Sequence, residues 1–133
     1  MTLDSRLLVR RCLAGLACAG TFVASSSAGA SVPTPVHHCR SADLRYPFQP
    51  GGPNDFGVFR LTVAGGGCKT AHRVAHAWMK RFESNIRAGK LKLPRSVDGF
   101  AFKNLPVRQA QTFRERGRRR GTTIRFDYRV PNG

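Results

Sequence analysis

The sequence predicts an α+β domain of two layers, in which one amphipathic helix packs on a small antiparallel sheet in the order β-α-β-β-β. Three observations support this fold class. Apolar and polar residues alternate over 56–64, apolar residues recur at helical spacing over 68–86, and alternation returns in the last third of the chain around a glycine-containing turn. The length of 133 residues agrees with one such domain.

The first 30 residues are predicted to be a Sec-type signal peptide that does not belong to the domain. Arginines precede an apolar run over 12–24, and small residues follow, with Ala28 and Ala30 at the cleavage positions. The run is shorter than the roughly 20 apolar residues that a membrane-spanning helix needs. We therefore expect cleavage near Ala30 and a secreted, extracellular or envelope-associated protein with no transmembrane segment in the mature chain.

The cysteines agree with export. Cys12 and Cys18 leave with the signal peptide, so that Cys39 and Cys68 remain as an even number in an oxidising compartment. We predict a disulfide between them, which would close a loop of about 30 residues and contribute on the order of 3 to 4 kcal/mol. Two free thiols or an intermolecular bridge are the alternatives.

The mature chain is expected to begin with a flexible arm and loop over 31–55, followed by the α+β domain over 56–133. Pro33 and Pro35 interrupt any periodicity in the arm, and glycines and prolines mark 49–55 as a loop. The first strand, 56–64, is predicted to place three residues on one face: Phe59, Leu61 and Val63.

A helix is predicted to begin near Cys68 and to end at Gly89. Its cationic side carries Lys69, Arg73 and Lys80. Its apolar side, which should face the sheet, carries Ala71, Val74, Ala75, Trp78, Phe82 and Ile86.

Three strands are predicted after the helix, at 96–103, 109–115 and 122–129. The last two form a hairpin around residues 116–121, which contain two glycines. In the final strand the apolar side chains alternate with charged ones, as expected for a half-buried strand: Ile124, Phe126 and Tyr128 against Arg125, Asp127 and Arg129.

Several short motifs carry a resemblance to a family. They are the stretch from Phe59 to Trp78 with its Gly-Cys-x-x-Ala helix start, the sequence Asp98-Gly99-Phe100, and the basic C-terminal hairpin. The chain resembles, over residues 59–128, small secreted actinobacterial proteins of unknown function. The resemblance implies this fold and export and implies no activity. Where that family often has a second cysteine pair, this sequence has Phe102 and Phe113, which we expect to pack across adjacent strands.

The charge balance indicates an anionic partner. The chain has 23 Lys and Arg against 7 Asp and Glu, and a formal charge of +14 remains after the signal peptide is removed. Eight arginines lie between Arg108 and Arg129. The candidate anion-binding residues are Arg114, Arg116, Arg118, Arg119, Arg120 and Arg125. We expect a monomer that binds envelope polymers, anionic lipid or nucleic acid without sequence specificity. A merely solubilising surface is the alternative.

The sequence supports a catalytic or metal-binding role less than it supports anion binding. His72 and His76 are spaced i, i+4 and are the candidate metal ligands, although no Glu lies between them and basic residues surround them. No cofactor motif and no Ser/His/Asp set is recognisable. We therefore expect a non-enzymatic binding module. The alternatives are a secreted nuclease-type hydrolase using Glu115 with Arg114 and Arg125, and an inhibitor or adhesion module that contacts its partner through the 49–55 loop.

Overall fold

The computed structural model describes Gly29 and residues 31–131, and the predicted signal peptide lies outside them, Gly29 apart. These described residues form one α-helix, one 3₁₀ turn at Ala42–Leu44 and seven strands. The strands are β1 (Val36–His38), β2 (Arg45–Tyr46), β3 (Phe56–Ala64), β4 (Ser96–Val97), β5 (Phe100–Leu105), β6 (Thr112–Arg119) and β7 (Thr122–Arg129), and the helix is α1 (Cys68–Arg87).

The strands form one antiparallel sheet in the order β1-β3-β7-β6-β5-β4, with β2 pairing to β3 beside β1. The helix α1 packs against one face of this sheet, and the two-layer α+β prediction is confirmed. The sheet is larger than predicted, because 96–103 divides into β4 and β5 and the segment before β3 adds two strands. None of the helices in the described part of the chain is long and apolar enough to cross a membrane.

Trp78 occupies the centre of the core between helix and sheet. Its ring lies 5.3 Å from that of Phe82 on the same helix, 5.3 Å from Phe126 and 5.5 Å from Tyr128. The indole Nε1 donates to the carbonyl of Pro94 at 3.2 Å, so its one polar atom is satisfied. One aromatic cluster therefore joins the helix to β7, and the apolar side chains of β3 belong to the same core.

The helix begins and ends as the sequence predicts, but its buried side differs in one place. Gly67 precedes the first turn, and Gly89 follows the last with φ +71°, the left-handed geometry that favours glycine. Ile86, predicted to be buried, remains 42% exposed, whereas Met79 is buried. The periodicity identifies a helix face but does not show how much of that face the sheet covers.

A bulge in β3 reverses the orientation expected for Phe59. The register with β7 shifts between Phe59 and Thr62, and Arg60 adopts φ +51°. As a result Leu61 and Val63 point into the core while Phe59 lies on the opposite face, paired with Asp127. The prediction that these three apolar residues share one face was wrong because the extra bulge residue breaks the two-residue period.

Two tight turns differ from the prediction: one interrupts the strand predicted over 96–103, and the other is shorter than the turn predicted over 116–121. Asp98-Gly99 and Arg120-Gly121 join their strands with both residues at positive φ, the geometry of two-residue hairpin loops. Consequently β6 continues to Arg119, and most of the predicted 116–121 turn is strand. Because Arg116, Arg118 and Arg119 belong to β6, the alternation of side chains along the strand determines the face of the sheet on which each one lies.

Phe102 and Phe113 do not form the expected pair. Phe102 lies opposite Gly117 in the β5–β6 register, and its ring packs near Trp78 and Phe126. The ring of Phe113 instead contacts that of Phe82 at a centroid distance of 5.3 Å. The two rings fill separate parts of the core and do not replace a cross-strand disulfide.

The segment before β3 is more ordered than an arm and loop. β1 and β2 both pair with β3, and Cys39 forms the predicted disulfide with Cys68, with 5.3 Å between their Cα atoms. Gly57 permits this packing, since a Cβ there would lie 2.1 Å from the carbonyl oxygen of Leu44. The described domain therefore includes β1 and β2.

Gly117 should tolerate no side chain. A Cβ at this position would lie 2.7 Å from two atoms of the Phe102 ring. We expect Gly117→Ala to lower the free energy of unfolding by about 1 to 3 kcal/mol, as overpacking does. Urea denaturation measures this loss. Adding Phe102→Leu should recover part of it, and additive losses in the double variant would contradict the contact.

Candidate functional site

The sheet has a second face, opposite α1, that carries most of the basic side chains of the C-terminal strands. Alternation along β7 sends Ile124 and Phe126 into the core, and Arg125 to the other side. The same alternation along β6 brings Arg114, Arg116 and Arg118 to that side. These residues are exposed or half-buried. We call this side of β5, β6, β7 and β3 the open face.

Three cations stand directly opposite one another across three strands of the open face. Lys103 on β5 pairs in register with Arg116 on β6, and Arg116 pairs with Arg125 on β7. Side chains in such positions have Cβ atoms about 4.5 to 5.5 Å apart, and like charges there destabilise a sheet. No described carboxylate lies within 4.0 Å of any of the three. We call them the cation row.

The acidic group of the open face is Asp127, which lies in the cross-strand row next to the cation row. Asp127 accepts from Arg114 Nε at 2.7 Å and from Arg114 Nη2 at 2.9 Å, a bidentate pair, and Arg60 Nη1 lies 3.7 Å away. These contacts raise the pKa of Arg114. Because Asp127 is already neutralised by two arginines, it does not compensate the cation row.

An aromatic ring sits between two arginines at the other end of the open face. The guanidinium carbon of Arg45 lies 4.3 Å from the centre of the Phe59 ring, and that of Arg129 lies 4.2 Å from it. The bulge at Arg60 creates this arrangement by turning Phe59 outward. Arg129 Nε is the one buried side-chain nitrogen or oxygen without a hydrogen-bond partner in the described residues. The N–H group of this nitrogen therefore donates to no described acceptor.

The six candidate anion-binding arginines do not form one cluster. Arg116, Arg118 and Arg125 share the open face, and Arg114 lies there but is held by Asp127. Arg119 alternates to the helix side, donates to the carbonyl of Asp98 at 3.2 Å and lies over the Phe100 ring, while Arg120 occupies the hairpin turn. The structure thus divides the set between the open face and the hairpin tip.

Glu115, which the sequence grouped with Arg114 and Arg125 as a candidate nuclease set, is a buried acid. It alternates to the helix side of β6 and is 1% exposed. Its carboxylate accepts from Asn104 Nδ2 at 2.8 Å. Burial raises its pKa to about 7, and the bond from Asn104 opposes this rise. Its position could have been noticed in the sequence, because Glu115 shares the strand parity of the core residue Phe113.

Glu115 lines a cleft of about 430 Å³ between the segment after α1 and the exposed edge of β5. β4 covers only the beginning of β5, which leaves the strand edge uncovered at Asn104. The lining residues are mixed in character: Leu91, Lys92, Leu93, Pro94, Arg95, Phe102, Lys103, Asn104 and Glu115. Lys103 belongs both to this cleft and to the cation row.

A chain of hydrogen bonds lies in a second, more apolar groove of about 810 Å³ beside the C-terminal half of α1. The hydroxyls of Tyr46 and Tyr128 are 3.1 Å apart, and Tyr128 donates to Glu83 Oε1 at 3.0 Å. Burial is the largest cause that raises the pKa of each tyrosine. Both hydroxyls therefore keep their protons at neutral pH and tie α1 to β2 and β7.

The two candidate metal-ligating histidines lie one turn apart on α1. His72 Nε2 lies 2.7 Å from Asp43 Oδ2, and His76 lies one turn further along α1. Within residues 31–131, no group of three or more His, Cys, Asp or Glu side chains is placed to hold a metal ion. In the structure His72 therefore contacts the carboxylate of Asp43.

The catalytic constellation considered for a nuclease does not assemble. Glu115 lies on the helix side of β6, whereas Arg114 and Arg125 lie on the open face. The sheet separates the carboxylate from these two guanidiniums. A general base beside that pair of cations is therefore not formed.

Fold and surface together define a helix-covered antiparallel sheet whose other face is basic. Comparison of the chain with protein-family models, with curated proteins and with solved structures finds no match. The function is therefore argued from the geometry of this chain alone.

Proposed function

We propose that the protein is a small exported binding module whose open face binds polyanions, without enzymatic activity. The observation that carries this proposal is the cation row, Lys103, Arg116 and Arg125, aligned across three strands. Each of these cations lies beside another one at a cost to sheet stability. A row of phosphates or other anions would relieve that cost.

Further features of the open face support the same function. Arg118 lies one row away on the same side of β6, and the buried Nε of Arg129 lacks an acceptor. The guanidiniums of Arg45 and Arg129, which pack on the Phe59 ring, add two further cations beside them. A face of aligned cations suits an extended polyanion such as single-stranded nucleic acid, whose backbone phosphates it can contact.

Export is part of the proposal. The N-terminal pattern of arginines, apolar run and small residues supports a cleaved signal peptide. The Cys39–Cys68 disulfide is compatible with an extracellular protein, since such bonds persist in oxidising compartments. Envelope phosphopolymers, anionic lipid and nucleic acid are the polyanions available to a protein in that location.

Removing two members of the cation row should weaken polyanion binding and flatten its salt dependence. We expect Arg116→Ala/Arg125→Ala to reduce the slope of log K against log salt for single-stranded DNA by about 1.4, because roughly 0.7 counterions are released for each phosphate neutralised. Fluorescence anisotropy at four or more salt concentrations measures the slope.

The matched control is Arg119→Ala/Arg120→Ala, which removes the same charge from the same hairpin but from the tip and the helix side. We expect a smaller change of slope from this variant. Equal slopes for both variants would show that net charge alone drives binding. A larger effect at the tip would place the contact at the turn instead of the open face.

A further inference from the structure

The cleft lined by Glu115 and Asn104 lies at the outer edge of β5, next to the open face. Glu115 and Asn104 lie side by side in it, at the point where the outer edge of β5 is no longer paired with β4. A nearly fully buried carboxyl at the floor of a cleft is costly to folding unless a ligand or partner uses it. The side chains that line the cleft determine which ligand fits it.

Asn104 and Glu115 present acceptors and not donors to the cleft. The two N–H bonds of Asn104 Nδ2 have acceptors within the sheet, Glu115 Oε1 at 2.8 Å and the carbonyl of Arg114 at 3.4 Å. This leaves Asn104 Oδ1 and the second oxygen of Glu115 for a ligand. A ligand that satisfies both must offer neighbouring donors.

A cationic group is the simplest ligand with neighbouring donors. The charges around the cleft exclude it. Lys92, Arg95 and Lys103 line it together with Glu115, so the local charge is positive even when the carboxyl is ionised. A guanidinium or ammonium ligand would be repelled. A neutral group that carries its donors on a planar edge, linked to an anion, fits both requirements.

We propose that this cleft binds a guanine base of a single-stranded nucleic acid whose backbone lies on the open face. Guanine is the standard base with two adjacent donors, N1–H and N2–H, on its Watson–Crick edge, and Asn104 Oδ1 and the second oxygen of Glu115 can accept one each. Adenine and cytosine place an acceptor beside their amino group, and uracil places carbonyls on both sides of its single N–H. Phe102 and Pro94 supply apolar lining beside the polar pair.

Lys103 connects the cleft with the open face. It is a member of the cation row and also lines the cleft, because β5 is the edge strand at this position. A phosphate held by the row would therefore be followed by a base that turns over the sheet edge toward Glu115. This inference rests on the proposed polyanion binding and adds to it a preference among bases.

The test is the binding of fluorescein-labelled uridine heptamers that carry one central guanosine, inosine or adenosine. The assay is run at pH 8, above the pKa of about 7 of Glu115, so that the carboxylate accepts. We expect the guanosine oligomer to bind about tenfold more tightly than the adenosine oligomer, since a bidentate pair discriminates by about that factor or more. Inosine, which lacks the N2 amino group, should fall between them.

Glu115→Gln is the protein control, because its amide oxygen can still accept from Asn104 while one acceptor toward the base becomes a donor. We expect it to abolish the preference for guanosine, so that the guanosine and adenosine oligomers bind the variant with equal affinity. Circular dichroism verifies that the variant is folded, and the inosine comparison tests the contact with no change to the protein.

Equal affinity of the wild-type protein for all three oligomers would overturn the guanine pocket and leave the proposed polyanion binding intact. A preference that survives in Glu115→Gln would also overturn it, since the discrimination would then come from another site. Failure of every oligomer to bind at low salt would reject the proposed function and the pocket together.

Discussion

Replacing Cys39 and Cys68 together by alanine is expected to lower the free energy of unfolding by about 3 to 4 kcal/mol. The disulfide joins residues 29 positions apart and ties β1 to the first turn of α1. Its loss restores conformational freedom to the unfolded chain. For a domain of this size the melting temperature should fall by roughly 15 to 25 °C. Calorimetry of a chain comprising residues 31–133 measures both quantities.

Reduction of the wild-type protein provides the control for this prediction. Dithiothreitol should lower the melting temperature of the wild type toward that of the double variant and should leave the variant unchanged. An unchanged melting temperature in the double variant would mean that the pairing of β1 with β3 secures this segment without the covalent bond.

The second large effect is a pH dependence of stability caused by Glu115. Its pKa is raised to about 7 in the folded protein by burial, against an ordinary value of 4.5. Below about pH 4.5 the carboxyl is protonated in both the folded and the unfolded state and contributes nothing to pH dependence. As pH rises from 4.5 to 7 the unfolded chain loses the proton first, so the folded state becomes progressively less favourable.

The penalty reaches about 3 kcal/mol above pH 7, because each tenfold difference in proton affinity corresponds to about 1.4 kcal/mol. We expect Glu115→Gln to remove it and to keep the bond from Asn104. The variant should therefore gain about 3 kcal/mol relative to the wild type between pH 4 and pH 8.5. Urea denaturation at both pH values gives this difference.

The difference in unfolding free energy between the wild type and Glu115→Gln does not contain the titration of the other carboxyl groups, because both proteins have them. Asp127→Asn offers a contrast, since its carboxylate is paired with Arg114 and its loss should destabilise the protein at neutral pH. A gain from Glu115→Gln that is the same at pH 4 and pH 8.5 would contradict the raised pKa of Glu115.

The local patterns of the sequence predicted the secondary structure because they depend on neighbouring residues only. Helical spacing identified α1 and its termini, and alternation identified β7 and the side to which Arg125 and Asp127 point. The even cysteine count predicted the disulfide. These signals follow from the 3.6- and 2-residue periods and from the chemistry of thiols in an oxidising compartment.

The candidate site was only partly accessible from the sequence. The excess of arginine in the last 26 residues was visible, but its division between the open face and the tip depends on where β6 ends. The prediction of a turn over 116–121 placed Arg116 and Arg118 at the tip, and both are strand residues on the open face. Two positive-φ residues, Arg120 and Gly121, are sufficient for this turn.

The sequence by itself determined the helix, the alternation of the final strands, the disulfide and the excess of positive charge. The tertiary structure decided the bulge that turns Phe59 outward, the alignment of Lys103 with Arg116 and Arg125, and the cleft in which Asn104 meets Glu115. The physical reason is that register and bulges arise from pairing between strands. β3 and β7 are adjacent in the sheet but more than 50 residues apart in the chain, and no local period encodes how they align.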